Sequence, residues 1–217
     1  MIFMRTDTHE FIDDLLDDLR PTRPLMLQRS LLIAAGSAAL AIGVMALFIG
    51  IRPALTAGIL DLLFLLASGL FLMLGIAASF TVIDMSRPQV GNTHIGWMWA
   101  VAMTALLPLT AIVLGFSQAG NAFLQSQPVQ GLNCLTNGSM LGLIVGGALT
   151  MWLRRGAPTS PGQAGLLTGI AAGSLGIFAY SLHCPFGDIY HIGLWHSMTV
   201  AVSAIAGRVI VPALIRW

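Results

Sequence analysis

The chain has 217 residues, of which 56% are hydrophobic and only 9% are charged. A soluble domain carries roughly 25% charged residues, so this composition excludes a water-soluble globule and predicts a protein that faces lipid. All 10 basic residues are arginines and the net charge is +1, so no basic patch indicates nucleic-acid binding. Two cysteines without a C-x-x-C spacing argue against a zinc finger or a thioredoxin-type motif.

Residues 1–29 form a polar, acidic tail before the first apolar run. Its apolar residues recur at helical spacing, and its aspartates take the other face of the same helix. Such a helix is too short to be stable alone, and its acidic face is repelled by anionic lipid. We therefore expect it to bind a groove on a basic protein, with packing under the chain's own cytoplasmic loops as the alternative. The predicted partner-binding residues are Phe11, Ile12, Asp13, Asp14, Leu15, Leu16, Asp17, Asp18, Leu19 and Arg20.

Six stretches reach the roughly 20 apolar residues that a membrane-spanning helix needs. They are Ser30–Ile51, Ala57–Phe80, Trp97–Phe116, Gly138–Leu153, Ala164–Leu182 and Ile192–Leu214. The fourth is short, and we expect its helix to start earlier, near Cys134. Backbone polar groups in lipid must be satisfied within the segment, so all six are predicted to be helical. The predicted fold is all-α: a cytoplasmic tail over residues 1–29 and a six-helix transmembrane domain over residues 30–217.

Glycines at helical spacing in the fourth and fifth spans suit close helix contacts. They are Gly142, Gly146, Gly165, Gly169 and Gly173. We expect these faces to pack within one monomer rather than to form a dimer, and the oligomeric state stays open.

The arginines orient the chain, because cytoplasmic loops carry the excess of positive charge. With the N-terminus in the cytoplasm, only Arg52 lies outside, and an even number of spans returns the C-terminus to the cytoplasm. This predicts a multipass membrane protein with both termini cytoplasmic, which in a two-membrane bacterium would lie in the inner membrane. Asp61 falls in the second span and is a functional candidate by default, with a wetted helix end as the alternative.

Residues 181–196 lie between two apolar runs and hold several reactive or metal-binding side chains: Cys184, Asp188 and three histidines. In the predicted topology Cys184 and Cys134 lie on the outer side, in an oxidising compartment. Three interpretations stay open: a structural disulfide, a redox switch, and a site for zinc or another soft divalent metal. His191 and His196 are five residues apart and do not share a face of a regular α-helix, which disfavours a preformed tetrahedral site. The candidate metal ligands are Cys134, Cys184, His183, Asp188, His191 and His196.

The tail FIDDLLDDLRPTRPL, the six spans and a late HCP…D…Y…W element resemble, over the whole chain, the NrsF-type negative regulators of extracytoplasmic-function sigma factors. The resemblance implies a membrane anti-sigma factor and not an enzyme. It implies that residues 13–20 hold the sigma factor, and that Cys134 and Cys184 are the sensor pair for heavy-metal or oxidative stress. Under this interpretation no cofactor is required, and the partners are the sigma factor and membrane lipid, without direct nucleic-acid binding.

Two other function classes stay open. A membrane thiol–disulfide oxidoreductase needs a second cysteine pair with which to exchange, and the chain has only Cys134 and Cys184. A small metal transporter predicts several ionisable groups near the bilayer midplane and paired broken helices. Only Asp61 is a candidate for such a group.

Overall fold

The computed structural model describes residues 11–13, 16, 25–59, 61–87, 98–100, 102–105, 109 and 126–216. Within these ranges every regular element is helical. The long helices are α1 (Leu27–Phe48), α2 (Leu62–Met85), α3 (Pro128–Leu153), α4 (Pro161–Ser181) and α5 (Ile189–Leu214), and each is long and apolar enough to cross a membrane. A short helical turn, Pro53–Thr56, follows α1.

The helices correspond to five of the six predicted spans. The third predicted span, Trp97–Phe116, lies largely outside the described residues. Helix α2 starts later than predicted, because Asp61 is its N-cap and accepts a hydrogen bond from the backbone N–H of Leu63 at 3.2 Å. Asp61 is therefore a helix-end residue, and the expectation that it lies inside the span is wrong.

Helix α3 starts at Pro128, earlier than Gly138 as expected, and also before Cys134. Proline is favoured in the first turn of a helix, where its missing N–H leaves no bond unmade. The polar residues that follow lower the hydropathy of this segment but fit a helix, as when Thr136 Oγ1 donates to the Leu132 carbonyl at 2.9 Å. Cys134 therefore lies in the second turn of a continuous helix.

Helix α4 lies at the centre of the bundle. In its most apolar window 89% of the residues are buried, against 22–44% in the corresponding windows of the other four helices. Its small residues let neighbouring backbones approach. A Cβ added at Gly165 would lie 2.5 Å from the Gly207 carbonyl oxygen of α5, and one at Gly142 of α3 would lie 2.6 Å from the Ala172 carbonyl oxygen. The small-residue faces thus pack helices within one chain, as expected from their spacing.

Alternating helix directions give the bundle two ends. At the cysteine end, defined by Cys134 and Cys184, the backbone N–H of Arg52 donates to the Leu182 carbonyl at 3.0 Å. At the opposite end, Trp152 Nε1 donates to Ser86 Oγ at 3.1 Å. Arg87, Arg154 and Arg155 lie in the loops of this second end, which we call the arginine end.

The predicted tail helix lies largely outside the described residues. Phe11, Ile12, Asp13 and Leu16 are described, and all four are helical and exposed. The three apolar side chains are 45–62% exposed, so none is covered by the bundle.

We expect Gly169→Ala to lower the free energy of unfolding by about 1–3 kcal/mol, the usual effect of overpacking. The added Cβ would collide with the Ser203 carbonyl and would lie 2.7 Å from Ala204 Cα, and backbone atoms cannot simply rotate away. Thermal unfolding in detergent micelles measures the change. The matched control is Gly147→Ala on α3, where nothing lies within 4 Å of the new Cβ. Equal stability of the two variants would contradict the close α4–α5 packing.

Candidate metal centre

Four of the predicted ligands converge at the cysteine end. Cys134 comes from α3, Cys184 from the loop after α4, and His191 and His196 from the first turns of α5. One ligand atom from each residue lies within 4.8 Å of the others. The four side chains are at most 3% exposed. We call these residues the Cys2His2 cluster, which could hold a metal ion.

The distances between the donor atoms are close to those of a tetrahedral site. The two Sγ atoms are 3.6 Å apart, and His191 Nε2 lies 3.2 Å from Cys134 Sγ and 3.5 Å from Cys184 Sγ. With Zn–S bonds of about 2.3 Å and Zn–N bonds of about 2.0 Å, tetrahedral angles give S–S edges of about 3.8 Å and S–N edges of about 3.5 Å. The two sulfurs and His191 Nε2 therefore fit zinc or a similar soft divalent ion with little movement, and the fourth donor, from His196, lies within 4.8 Å of them.

A π-helical turn, Ile192–His196, brings the two histidines together. Helix α5 is α-helical over Ile189–His191, and α-helical again from Ser197. In a π turn the hydrogen bonds run from i to i+5, so residues five apart lie on one face. The ring centroids of His191 and His196 are 5.4 Å apart. The expectation that these histidines do not share a face is therefore wrong, because the helical period changes locally.

The backbone around His191 fixes the direction of its ring. Its Nδ1–H donates to the Ser126 carbonyl at 2.9 Å, which leaves Nε2 facing the two sulfurs. Asp188 caps the start of α5 by accepting from the His191 backbone N–H at 2.7 Å. Trp195 Nε1 donates to Ser126 Oγ at 3.2 Å. A histidine that binds a metal through one ring nitrogen typically donates its other ring N–H to a carbonyl or carboxylate, as His191 Nδ1–H does to Ser126.

One nitrogen of the His196 ring has no hydrogen-bond partner among the described residues. This atom, Nε2, is buried. Leaving a buried polar atom unpaired costs roughly 1–3 kcal/mol. A metal ion bound in the cluster would be a partner for His196 Nε2, so His196 fits the role of a ligand.

Both cysteines are free thiols. A hydrogen bond from the Cys134 thiol holds the pKa of the Cys184 thiol well below its usual range despite the burial of the sulfur. The thiolate is the form that binds metals and attacks other sulfurs. Because a disulfide bond is about 2.05 Å long, the Sγ atoms, now 3.6 Å apart, would have to approach each other for the pair to oxidise. The cluster therefore suits two alternative reactions, metal binding and disulfide formation.

The other two predicted ligands lie outside the cluster. His183 Nδ1–H donates to the Gly50 carbonyl at 2.9 Å, and the Asp188 carboxylate is occupied as a helix cap. One residue of this region was not singled out from the sequence as part of the site. Arg52 is buried, and its Nη1 donates to the Cys184 carbonyl at 3.3 Å. Its place as the lone arginine on the predicted outer side was the available signal.

Comparisons with known proteins point to one family. A family model named NrsF, described as "Negative regulator of sigma F", matches residues 15–217. A Caulobacter vibrioides protein named "Anti-sigma-F factor NrsF" is 32% identical over 220 residues, covering 99% of this chain and 100% of that relative. An Azospira oryzae protein named "Probable anti-sigma-F factor NrsF" is 26% identical over 203 residues, covering 89% and 91%. No solved structure matches the chain.

Proposed function

This chain belongs to the NrsF family of negative regulators of sigma F, and from that premise we propose that it is a membrane-bound anti-sigma factor whose cysteine end senses metal or oxidant. The observation that carries the proposal is the family match, which covers residues 15–217. The proposed partner is a sigma factor of the kind that the relatives' names specify, belonging to the extracytoplasmic-function class. The chain acts on it as a binding regulator rather than as an enzyme.

The acidic tail is the proposed sigma-binding segment. Phe11, Ile12 and Leu16 are exposed and form part of the apolar stripe. Exposed apolar side chains at helical spacing are typical of a helix that docks into a groove. The aspartates on the other face, Asp13, Asp14, Asp17 and Asp18, would face basic residues of the sigma factor, since proteins that bind DNA carry positive surface charge.

The proposed orientation places the tail and the arginine end in the cytoplasm and the cysteine end in the periplasm. Arg87, Arg154 and Arg155 share one end of the bundle, and the positive-inside rule assigns that end to the cytoplasm. The Cys2His2 cluster then lies at the periplasmic side, where it meets metals and oxidants before they reach the cytoplasm. Sensing and sigma binding are thus separated by the length of the membrane helices.

The cluster supports two forms of the signal. A soft divalent ion would be held by the Cys134 and Cys184 thiolates with His191 and His196. Alternatively, a peroxide-class oxidant takes two electrons and two protons from the cysteine pair, so that one S–S bond forms and the peroxide is reduced to water. Metal binding would hold the start of α3, the loop after α4 and the start of α5 in one fixed arrangement, whereas disulfide formation would draw Cys134 and Cys184 together.

Metal binding and oxidation differ in the free energy that they can contribute to a switch. Moving a partner from almost fully bound to almost fully free needs on the order of 5 kcal/mol of differential stabilisation. Binding of structural zinc supplies about 10–16 kcal/mol, and a disulfide typically about 2–4 kcal/mol. Only the part of this free energy that differs between the sigma-bound and sigma-free forms shifts the equilibrium. Metal binding therefore offers more free energy for release of the sigma factor than oxidation does.

The test is where the sigma factor resides in fractionated cells. Co-expressed with this chain, it is expected in the membrane fraction, and addition of Zn²⁺ or Cd²⁺ to intact cells is expected to move most of it to the soluble fraction. Cells without the chain provide the control. A sigma factor that stays soluble with the chain present would contradict the anti-sigma function; one that stays membrane-bound under metal and peroxide would contradict the sensing.

A further inference from the structure

The outer end of α1 is hydrogen-bonded to the loop that carries Cys184. The Arg52 backbone N–H donates to the Leu182 carbonyl at 3.0 Å, and Arg52 Nη1 donates to the Cys184 carbonyl at 3.3 Å. His183 Nδ1–H donates in the other direction, to the Gly50 carbonyl at 2.9 Å. Residues 50–52 and 182–184 thus form a three-bond clasp between segments that are far apart in the chain.

Arg52 is held in place by more than these bonds. The residue is only 6% exposed, and its guanidinium lies 3.8 Å from the centroid of the Phe64 ring at the start of α2. Its Nε is buried without a hydrogen-bond partner among the described residues. A buried charge is costly unless it is paired. An arginine without a structural role would therefore be expected to be exposed to water, and Arg52 is not. Its position indicates a structural task at the clasp.

The clasp joins the cluster to the one long helix that leads directly to the tail. Cys184 contributes its sulfur to the cluster, and its carbonyl accepts a hydrogen bond from Arg52. A displacement of Cys184 therefore changes both the cluster and the clasp. The clasp immediately follows α1, and α1 begins at Leu27, next to the acidic tail. A movement of the Cys184 loop can thus be transmitted along a rigid helix to the opposite end.

We infer that Arg52 and His183 are positioning residues that couple the state of the Cys2His2 cluster to α1, and through α1 to the presentation of the tail. This inference rests on the proposed function. It names α1, which contributes no ligand to the cluster, as the helix that reports the signal. Coupling between two sites through a bistable element typically changes affinity by about 5–150-fold.

The experiment uses the full chain in lipid nanodiscs with the purified sigma factor, and Zn²⁺ as the probe. Two affinities are measured for each variant: that for Zn²⁺, by competition with a chromophoric chelator, and that for the sigma factor with and without saturating Zn²⁺. The variants are Arg52→Gln and His183→Phe, separately and together. Trp152→Phe is the matched control, because it removes a buried hydrogen bond between helices at the arginine end.

For the parent protein and Trp152→Phe, Zn²⁺ is expected to weaken sigma binding by roughly the 5–150-fold typical of allosteric coupling. The double variant is expected to keep its Zn²⁺ affinity within a few-fold, since neither residue is in the cluster, while the effect of Zn²⁺ on sigma binding falls to less than about twofold. A residue that only stabilised the fold would not separate these two affinities.

Three outcomes overturn the inference. A double variant that responds to Zn²⁺ as the parent does overturns it and leaves the proposed function intact. A double variant that loses Zn²⁺ binding makes Arg52 and His183 supports of the cluster. A parent protein that binds Zn²⁺ without a change in sigma affinity overturns the proposed sensing as well. If Arg52→Gln does not fold, His183→Phe alone decides, because it removes one clasp bond and leaves the buried guanidinium paired.

Discussion

A Cys134→Ser, Cys184→Ser double variant is expected to keep its sigma factor bound under the Zn²⁺, Cd²⁺ or peroxide stress that releases it from the parent protein. The change removes both sulfur ligands of the cluster and the only pair of thiols in the chain. Loss of an outer-shell partner alone can cost roughly 10–100-fold in metal affinity, so loss of two ligands should cost at least about 100-fold. The measurement is the membrane-bound fraction of the sigma factor before and after stress.

A histidine variant separates the two signals in the same assay. His196→Ala removes a metal ligand and leaves both thiols, so it is expected to abolish the metal response and to retain the peroxide response. Trp152→Phe, which removes a buried hydrogen bond at the arginine end, is the control and should retain both responses. Normal release from the double cysteine variant under every stress would show that the cysteine pair is not the sensor.

A Leu15→Asp, Leu19→Asp variant is expected to lose the sigma factor in the absence of any stress. Each substitution places a charge in the predicted apolar stripe of the tail, and buried anchors of an interface typically contribute about 2 kcal/mol or more each. Together they should weaken binding by at least about 100-fold. The measurement is co-purification of the sigma factor with the full chain from detergent-solubilised membranes.

Charge alone must be controlled in that experiment. Thr8→Asp with Thr22→Asp adds the same two negative charges outside the apolar stripe and should retain the partner. Both variants should reach the membrane in equal amounts, because their substitutions lie in the tail and leave the membrane-spanning helices, which begin with α1, unchanged. Continued co-purification with the Leu15→Asp, Leu19→Asp variant would contradict the tail as the binding segment and would direct attention to the loops of the arginine end.

The sequence predicted the long helices well and their ends less well. Long apolar runs have one solution in lipid, since the backbone must satisfy its own hydrogen bonds. The starts of α2 and α3 depend on local capping, by Asp61 and Pro128, which a count of apolar residues does not register. That difference moved Asp61 from the interior of a span to its end, and placed Cys134 inside a helix.

What the sequence by itself determined is the class of the molecule: apolar helices for a bilayer, and a segment rich in cysteine and histidine in a chain of the NrsF family. The tertiary structure alone decided which of the six candidate ligands meet. His191 and His196 converge because a π turn replaces the regular helical period, and His183 turns away because the Gly50 carbonyl accepts its ring N–H. Spacing along a chain specifies a face only while the helical period is constant, and here the period and the loop conformations depend on packing between helices.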